Sequence, residues 1–428
     1  MRTNLKGRLP YRLLPYRLVV LAMLAAAGAQ LLGQAGGTGN STGNVAARGP
    51  IKIGFMVPLS GALAQNGRDI QNGFLLYLDQ IGYQAAGRKI EIITEDEEAI
   101  PAVGLTKARK LVERDQVHIM AGTLLSSTGY ALAPYIDSQK IPMIYPVVSA
   151  DDLTQRRRTQ WIIRTGWNAS QPNHAFGEYA YRRLGYRRIA TISLDYAFGW
   201  ESVGGFQRTF EAEGGTIVQK LWAPVSVHDF APYLAQIPRD VDAVYVLVLG
   251  RAALQFMRQY EEFGLRGRVP LIGGGTSTDE HVLPFMGDEA TGVMTALHYS
   301  GALNNPANAT FAKAYRARFN KIPSYYGESM YTGAKWLVAA IEKIGGNVED
   351  RQGLMDALRA VTVTDVPRGP VRLDEYGSPV QNIYIRRVDR VNGELQNTVI
   401  ETLPAVSQFW KYAPAEYLAR PLYSRRYQ

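Results

Sequence analysis

The chain has 428 residues, 46% of them hydrophobic and 20% charged, so it can bury a sizeable core and has room for two or three domains. It contains no cysteine, which excludes a disulfide, a thiolate metal site, a cysteine nucleophile and a cysteine-borne lipid anchor. The net charge of +9 does not point to nucleic acid: residues 1–49 carry six basic side chains and no acidic one, leaving 41 basic against 38 acidic, or +3, in the remainder.

In chain order, residues 1–35 read as a secretory signal peptide. Arg2, Lys6, Arg8, Arg12 and Arg17 precede an apolar run from Leu18 to about Ala29, and small residues at 27–29 suit cleavage before Gln30 or, further on, Gly36. The run falls short of the roughly 20 apolar residues needed to span a bilayer. Residues 36–49, rich in Gly, Ser, Thr and Asn, form a flexible leader. Strand-like runs at 51–57, 89–94, 117–121 and 141–145 then alternate with helical stretches such as 68–83 and 101–114. A second series has strands at 188–193, 215–221, 243–249 and 269–272, with helices at 171–184, 200–213 and 251–264. Such alternation predicts βαβ units with parallel sheets, and its repetition predicts two similar α/β lobes. A run at 293–298 leads into helices at 306–320, 327–344 and 351–360. Strand-like segments follow at 370–373 and 383–391, with Asn392-Gly393 as a turn signal. Residues 407–428 are expected to be irregular and packed on one lobe. The acidic run Glu95, Asp96, Glu97, Glu98 reads as a solvated edge.

Two polar clusters follow strand ends. The run 117–121 stops at Gly-Thr-Leu-Leu-Ser-Ser, which opens a helix, and the run 141–145 stops at Pro146 and leads through Ser149 into another helix. Helix starts carry unpaired N–H groups and partial positive charge, so Ser126, Ser127 and Ser149 are candidates to grip a carboxylate; the alternative is that they are ordinary N-caps. Open α/β sheets bind ligands at these carboxyl ends. Enzyme chemistry finds no footing: the five histidines are isolated with no HExxH pairing, and there is no GxSxG elbow, Walker A loop or GxGxxG fingerprint after a strand. No cofactor, metal site or nucleic-acid partner is expected.

From residue 50 to about 406 the chain resembles the leucine/isoleucine/valine-binding protein family, the periplasmic type I solute-binding proteins of ABC importers. The resemblance rests on IKIGFMVPLSG from Ile51, Ala64-Gln-Asn-Gly, the Gly122 segment, Asp195-Tyr-Ala-Phe-Gly, Asp242-Ala-Val-Tyr-Val and Tyr331-Thr-Gly-Ala-Lys-Trp-Leu, in that order. It implies two Rossmann-like lobes joined by a three-strand hinge: residues 50–167 with 299–365, and 168–298 with 366–406, crossing near Trp167, Tyr299 and Val366. It implies that Ser126 grips a ligand carboxylate, with Val147 and Ser149 beside it and Asn66 over the ligand's side chain. Phe198 falls at an aromatic clamp and Leu249 at a strand end that usually offers another ring. Gly275 stands at or near the place where amino-acid binders put a glutamate for the ligand's ammonium, so an amine-free, possibly aromatic acid is favoured over a branched-chain amino acid. Asp195, Asp279 or Glu280 are the substitutes if an amine is bound; Arg251 is a second candidate for the carboxylate, and Tyr196, Tyr325 and Tyr326 for an aromatic wall. The implied protein is a periplasmic monomer that hands a small molecule to an inner-membrane ABC permease. A sensor on the same fold is the alternative.

Overall fold

Two sheets organise residues 48–428, the residues described by the computed structural model; the expected signal peptide and all but the last residues of the leader lie outside them. The first sheet takes β1 (Ile51–Val57), β2 (Gln84–Ala85), β3 (Arg88–Asp96), β4 (Ile119–Gly122), β5 (Met143–Tyr145) and β6 (Ile162–Arg164) in the order β2-β3-β1-β4-β5-β6. All its pairings are parallel except the short β2–β3 hairpin. The second takes β7 (Arg188–Leu194), β8 (Thr216–Ala223), β9 (Ala243–Leu247), β10 (Leu271–Gly274) and β11 (Met294–Leu297), parallel in the order β8-β7-β9-β10-β11. β12 (Thr362–Val363), β13 (Val371–Leu373), β14 (Pro379–Val391) and β15 (Glu394–Val406) extend that sheet antiparallel. The apolar runs of β1 and β9 are buried almost throughout, as strands covered by helices on both faces must be.

The helices follow the alternation. α1 (Ala64–Gln80), α2 (Pro101–Arg109) and α3 (Ser126–Gln139) accompany the first sheet; α4 (Ser170–Arg182), α5 (Ala197–Ala212), the single turn α6 (Ala231–Leu234) and α7 (Arg251–Glu262) accompany the second. α8 (Pro306–Phe319), α9 (Tyr325–Lys343) and α10 (Arg351–Ala360) return to the first lobe, where α9 lies along α1. That approach needs glycine, because a Cβ on Gly73 would stand 1.9 Å from the Gly327 carbonyl oxygen. The chain thus passes between the sheets after β6, after β11 and before β12. Buried polar groups tie these passages together. Arg368 pairs with Glu328 at 2.6 Å and donates to the carbonyls of Thr165 and Gly166, and Gln381 donates to Gly166 at 2.8 Å.

Four expectations need correction. The helix after Ser149 is only a 3-10 turn, Asp151–Thr154, because the buried Arg164 guanidinium draws in the carbonyls of Val148 and Ala150 and the chain must return to β6. Glu97 is not on a solvated edge: it is fully buried beneath the loop after β4, and the neighbouring Asp96 accepts the Leu59 N–H at 2.8 Å. β15 was signalled only by its turn, where Asn392 and Gly393 both have positive φ, as a two-residue hairpin requires. The C-terminal segment, which includes α11 (Pro414–Ala419), touches both lobes: Arg156 donates to its carbonyls at 417, 418 and 420, while Tyr423 meets His174 and Arg208. Among the described residues no helix is long and apolar enough to cross a membrane.

Candidate functional site

Strand ends from both sheets converge on one chamber. β4 ends at Gly122, with φ +114°, where a Cβ would lie 1.9 Å from the Met56 carbonyl oxygen. The loop beyond it is held from beneath by Glu97, which accepts the hydroxyls of Thr123 and Thr128; burial pushes the Glu97 carboxyl up to about 6 in spite of those bonds. α3 follows with Leu125 as its N-cap and no side-chain cap bond. Its first intrahelical bond runs from the Gly129 N–H to the Leu125 carbonyl, so the amides of Ser126, Ser127 and Thr128 precede it as unpaired donors of the helix start. Neither Ser126 nor Ser149 is an N-cap; Leu125 and Ala150 hold those positions. Instead the two hydroxyls face each other, both buried, with Oγ atoms 3.4 Å apart.

These hydroxyls line a nearly closed chamber with about 20 Å³ of free space, room for about one water and far below the roughly 300–1,000 Å³ usual for ligand pockets, so a ligand enters only by moving its walls apart. The first lobe adds Leu124, Leu125 and Val147, and the second adds Tyr196 and Phe198 after β7 and Leu249 after β9. Trp167 reaches in from the first passage, and Tyr325 and Tyr326 from the start of α9. The rings brace one another: Trp167 meets Phe198 edge-on at 5.6 Å and Tyr325 at 5.7 Å, while Tyr325 and Tyr326 lie 4.0 Å apart. The buried Trp167 indole N–H has no acceptor among the described residues. One end of the chamber is therefore rich in donors, and the rest is aromatic or aliphatic.

Of the expected site residues, Ser126, Val147, Ser149, Phe198 and Leu249 come together here. Ser127 is half-buried and does not line the chamber. Asn66 is buried on α1, its Nδ2 3.2 Å from His281 Nε2, a bridge between the lobes outside the chamber lining. Gly275 lies behind β10, where its carbonyl accepts from Arg386 and a Cβ would meet Leu297 at 2.6 Å, and it does not line the chamber. Arg251 is exposed in a wider groove that shares Leu125 and Leu249 with the chamber. Trp167, Leu124 and Leu125 were not foreseen as wall residues; the tyrosines at 196, 325 and 326 were.

The three acids that might have met an ammonium are occupied elsewhere. Asp195 accepts the Trp200 indole N–H at 2.9 Å and the Arg425 guanidinium at 3.0 Å. Burial works against a charged Asp279, but its bonds from His281 at 2.5 Å and the Tyr325 N–H at 3.2 Å hold the carboxyl below its ordinary range. Glu280, pushed up to about 7 chiefly by burial, accepts the Gly301 N–H and faces Arg386 at 3.9 Å. Among the described residues no carboxylate lines the chamber.

The chain is similar to known proteins over most of its length. A family profile described as periplasmic binding protein matches residues 50–394. The Leu/Ile/Val-binding protein homolog 6 of Brucella melitensis is 27% identical over 361 residues, covering 82% of this chain and 91% of that protein. A solute-binding protein of an ABC transporter from Rhodopseudomonas palustris BisB5, solved in complex with 3,4-dihydroxybenzoic acid, superposes with a TM-score of 0.80 at 34% identity, covering 84% of this chain and 98% of the other. A second R. palustris solute-binding protein, solved with benzoate, gives 0.79 at 29% identity, with the same two coverages.

Proposed function

We propose that this chain, which belongs to the periplasmic binding protein family and is the solute-binding protein of an ABC transporter, captures an amine-free carboxylic acid with an aromatic or compact apolar body. The observation that carries the reading is the lining of the chamber: two converging hydroxyls at a helix start, aromatic and aliphatic walls, and no carboxylate. A buried ammonium without an anion or good acceptors costs several kcal/mol at least, so an amino acid is the poorer fit despite the names of the curated relatives. The benzoate-type ligands of two similar proteins support the same choice.

In this reading Ser126, Ser149 and the first amides of α3 take the carboxylate. Trp167, Phe198, Tyr325 and Tyr326 take the body, and Leu249 closes the second-lobe side. The lobes, residues 50–167 with 299–365 and 168–298 with 366–406, close because the ligand touches both at once and so binds the closed form more tightly than the open one. The permease reads that closed shape. Export with removal of residues 1–35, a periplasmic location, a monomeric state and an inner-membrane permease partner belong to the same proposal. No covalent step is involved.

A thermal-shift comparison tests it. At equal concentration, benzoate or a hydroxybenzoate raises the melting temperature more than leucine, isoleucine or valine does, because stabilisation grows with ligand concentration over Kd. Stabilisation by the branched-chain amino acids alone would overturn the reading.

A further inference from the structure

A second cavity lies between the lobes and shares no lining residue with the chamber. Its free space is about 260 Å³. The first lobe supplies Tyr130, Asp151 and Gln155, the second supplies Trp200 and Glu201, and the C-terminal segment covers them with Tyr417 and the run from Pro421 to Ser424. Nothing in the transport reading uses this space.

Its polar groups are incomplete in a specific way. Asp151 is 3% exposed; its Oδ1 accepts the Ser170 N–H at 3.1 Å, but its Oδ2 is buried with no hydrogen-bond partner among the described residues. Gln155 is also 3% exposed, and its amide nitrogen has no acceptor; the Tyr417 hydroxyl is likewise unpartnered. Glu201, in contrast, is satisfied across the lobes, taking the Tyr130 hydroxyl at 2.6 Å and the Asp151 N–H at 3.0 Å. Two of the nearby cations, Arg156 and Arg157, line the cavity themselves, and each has contacts of its own. Arg156 pairs with Asp152 at 3.0 Å and binds carbonyls of the C-terminal segment, Arg157 lies over the Tyr130 ring at 5.3 Å, and Arg164 donates to the carbonyls of Val148, Ala150 and Trp167. Among the described residues neither Asp151 nor Glu201 forms an ion pair. Burial pushes Asp151 up to about 6 against its bonds from Ser170 and the Arg164 charge, and pushes Glu201 well above its ordinary value, with the Asp151 charge adding to that rise.

An unpartnered carboxylate oxygen, an unpartnered amide donor and walls of Tyr130, Trp200 and Tyr417 describe one kind of guest. The oxygen takes an ammonium hydrogen, the rings favour an organic cation over a bare ion, and the amide takes an acceptor on the same molecule. We propose that this covered cavity binds a small organic ammonium carrying a hydroxyl or carbonyl, with the ammonium on Asp151 Oδ2 and the oxygen on the Gln155 amide. Because the walls come from both lobes, occupancy favours the closed form, and by linkage the cation and the transported acid each tighten the other's binding.

Ethanolamine is the probe, with ethylammonium as the analogue lacking an acceptor and sodium chloride at matched ionic strength as the charge control. The full chain is followed by melting temperature and by calorimetry. Ethanolamine should stabilise it beyond sodium, and more at about pH 7.5 than at about pH 5, since protons compete for Asp151 and Glu201. Tyr130, Asp152, Arg156, Arg157, Arg164 and Tyr417 are the other charged or titratable groups facing the pair, and the variants separate Asp151 from them. Asp151→Asn should weaken ethanolamine roughly ten- to 150-fold, the span of a hydrogen bond to a charged group. Gln155→Ala, which leaves the carboxylates in place, should weaken ethanolamine and leave ethylammonium unchanged. Stabilisation no greater than with sodium, or equal ethanolamine affinity in wild type and both variants, would overturn the proposal.

Discussion

Replacing Ser126 by alanine isolates the carboxylate grip. The side chain is 1% exposed and its Oγ lies 3.4 Å from that of Ser149, beyond the usual 2.7–2.8 Å of an O–H···O bond, so the two hydroxyls hold each other weakly and are free to turn toward an anion. A hydrogen bond to a charged acceptor contributes about 1.5–3 kcal/mol, so Ser126→Ala should raise the Kd for benzoate roughly ten- to 150-fold. Folding should respond much less. Leu125, not Ser126, is the N-cap, so the loss of about 1 kcal/mol typical of a removed cap does not apply and only the long contact to Ser149 disappears. Calorimetry gives the Kd and denaturant unfolding of the ligand-free protein gives the stability. Ser149→Ala and the double variant complete a cycle, in which the two losses should fall short of additivity because both hydroxyls serve one carboxylate and contact each other. An unchanged Kd in Ser126→Ala, or a loss matched by an equal fall in folding stability, would refute the assignment.

Gly275→Ala should lower unfolding free energy by about 1–3 kcal/mol through overpacking against Leu297, while leaving the benzoate Kd of the folded protein unchanged; a selective loss of affinity would put Gly275 back in the site. Glu97 carries a pH signature: its folded pKa, about 6, lies above the unfolded value near 4.5, so the native state holds the extra proton between them and stability falls as pH rises through that window. Glu97→Gln, which cannot titrate, should therefore gain on the wild type by about 2 kcal/mol between those pH values, as chemical unfolding at several pH values would record; a constant difference would contradict the assignment.

Most of the architecture was legible in the sequence because parallel strands buried on both faces leave uninterrupted apolar runs, as at β1, β4 and β9. β6 has only three residues, too little for periodicity to act on, and with it went the approach of Trp167 to the chamber. The position of Glu97 was misjudged since four consecutive acids look solvated; only the fold turns one of them under the Gly122 loop. Within the site, the two serine clusters were readable because each follows a strand end. Gly275 lies outside the chamber lining, since a counter-ion position transferred along the chain says nothing about which side of β10 the backbone presents, and here Arg386 and Leu297 occupy the side it faces. The double attachment of the C-terminal segment depends on Arg156, hundreds of residues away in sequence, and has no local signal.

Phenylacetate and phenylglycine differ by a single α-ammonium, and calorimetric titration of the purified protein with each tests the central claim most directly. With Asp195, Asp279 and Glu280 engaged elsewhere and no carboxylate in the chamber lining, phenylacetate should bind at least about tenfold more tightly, since burying the unpaired ammonium costs more than the roughly 1.4 kcal/mol that ratio represents. Equal or tighter binding of phenylglycine would contradict the account and require an anion that this chamber does not contain.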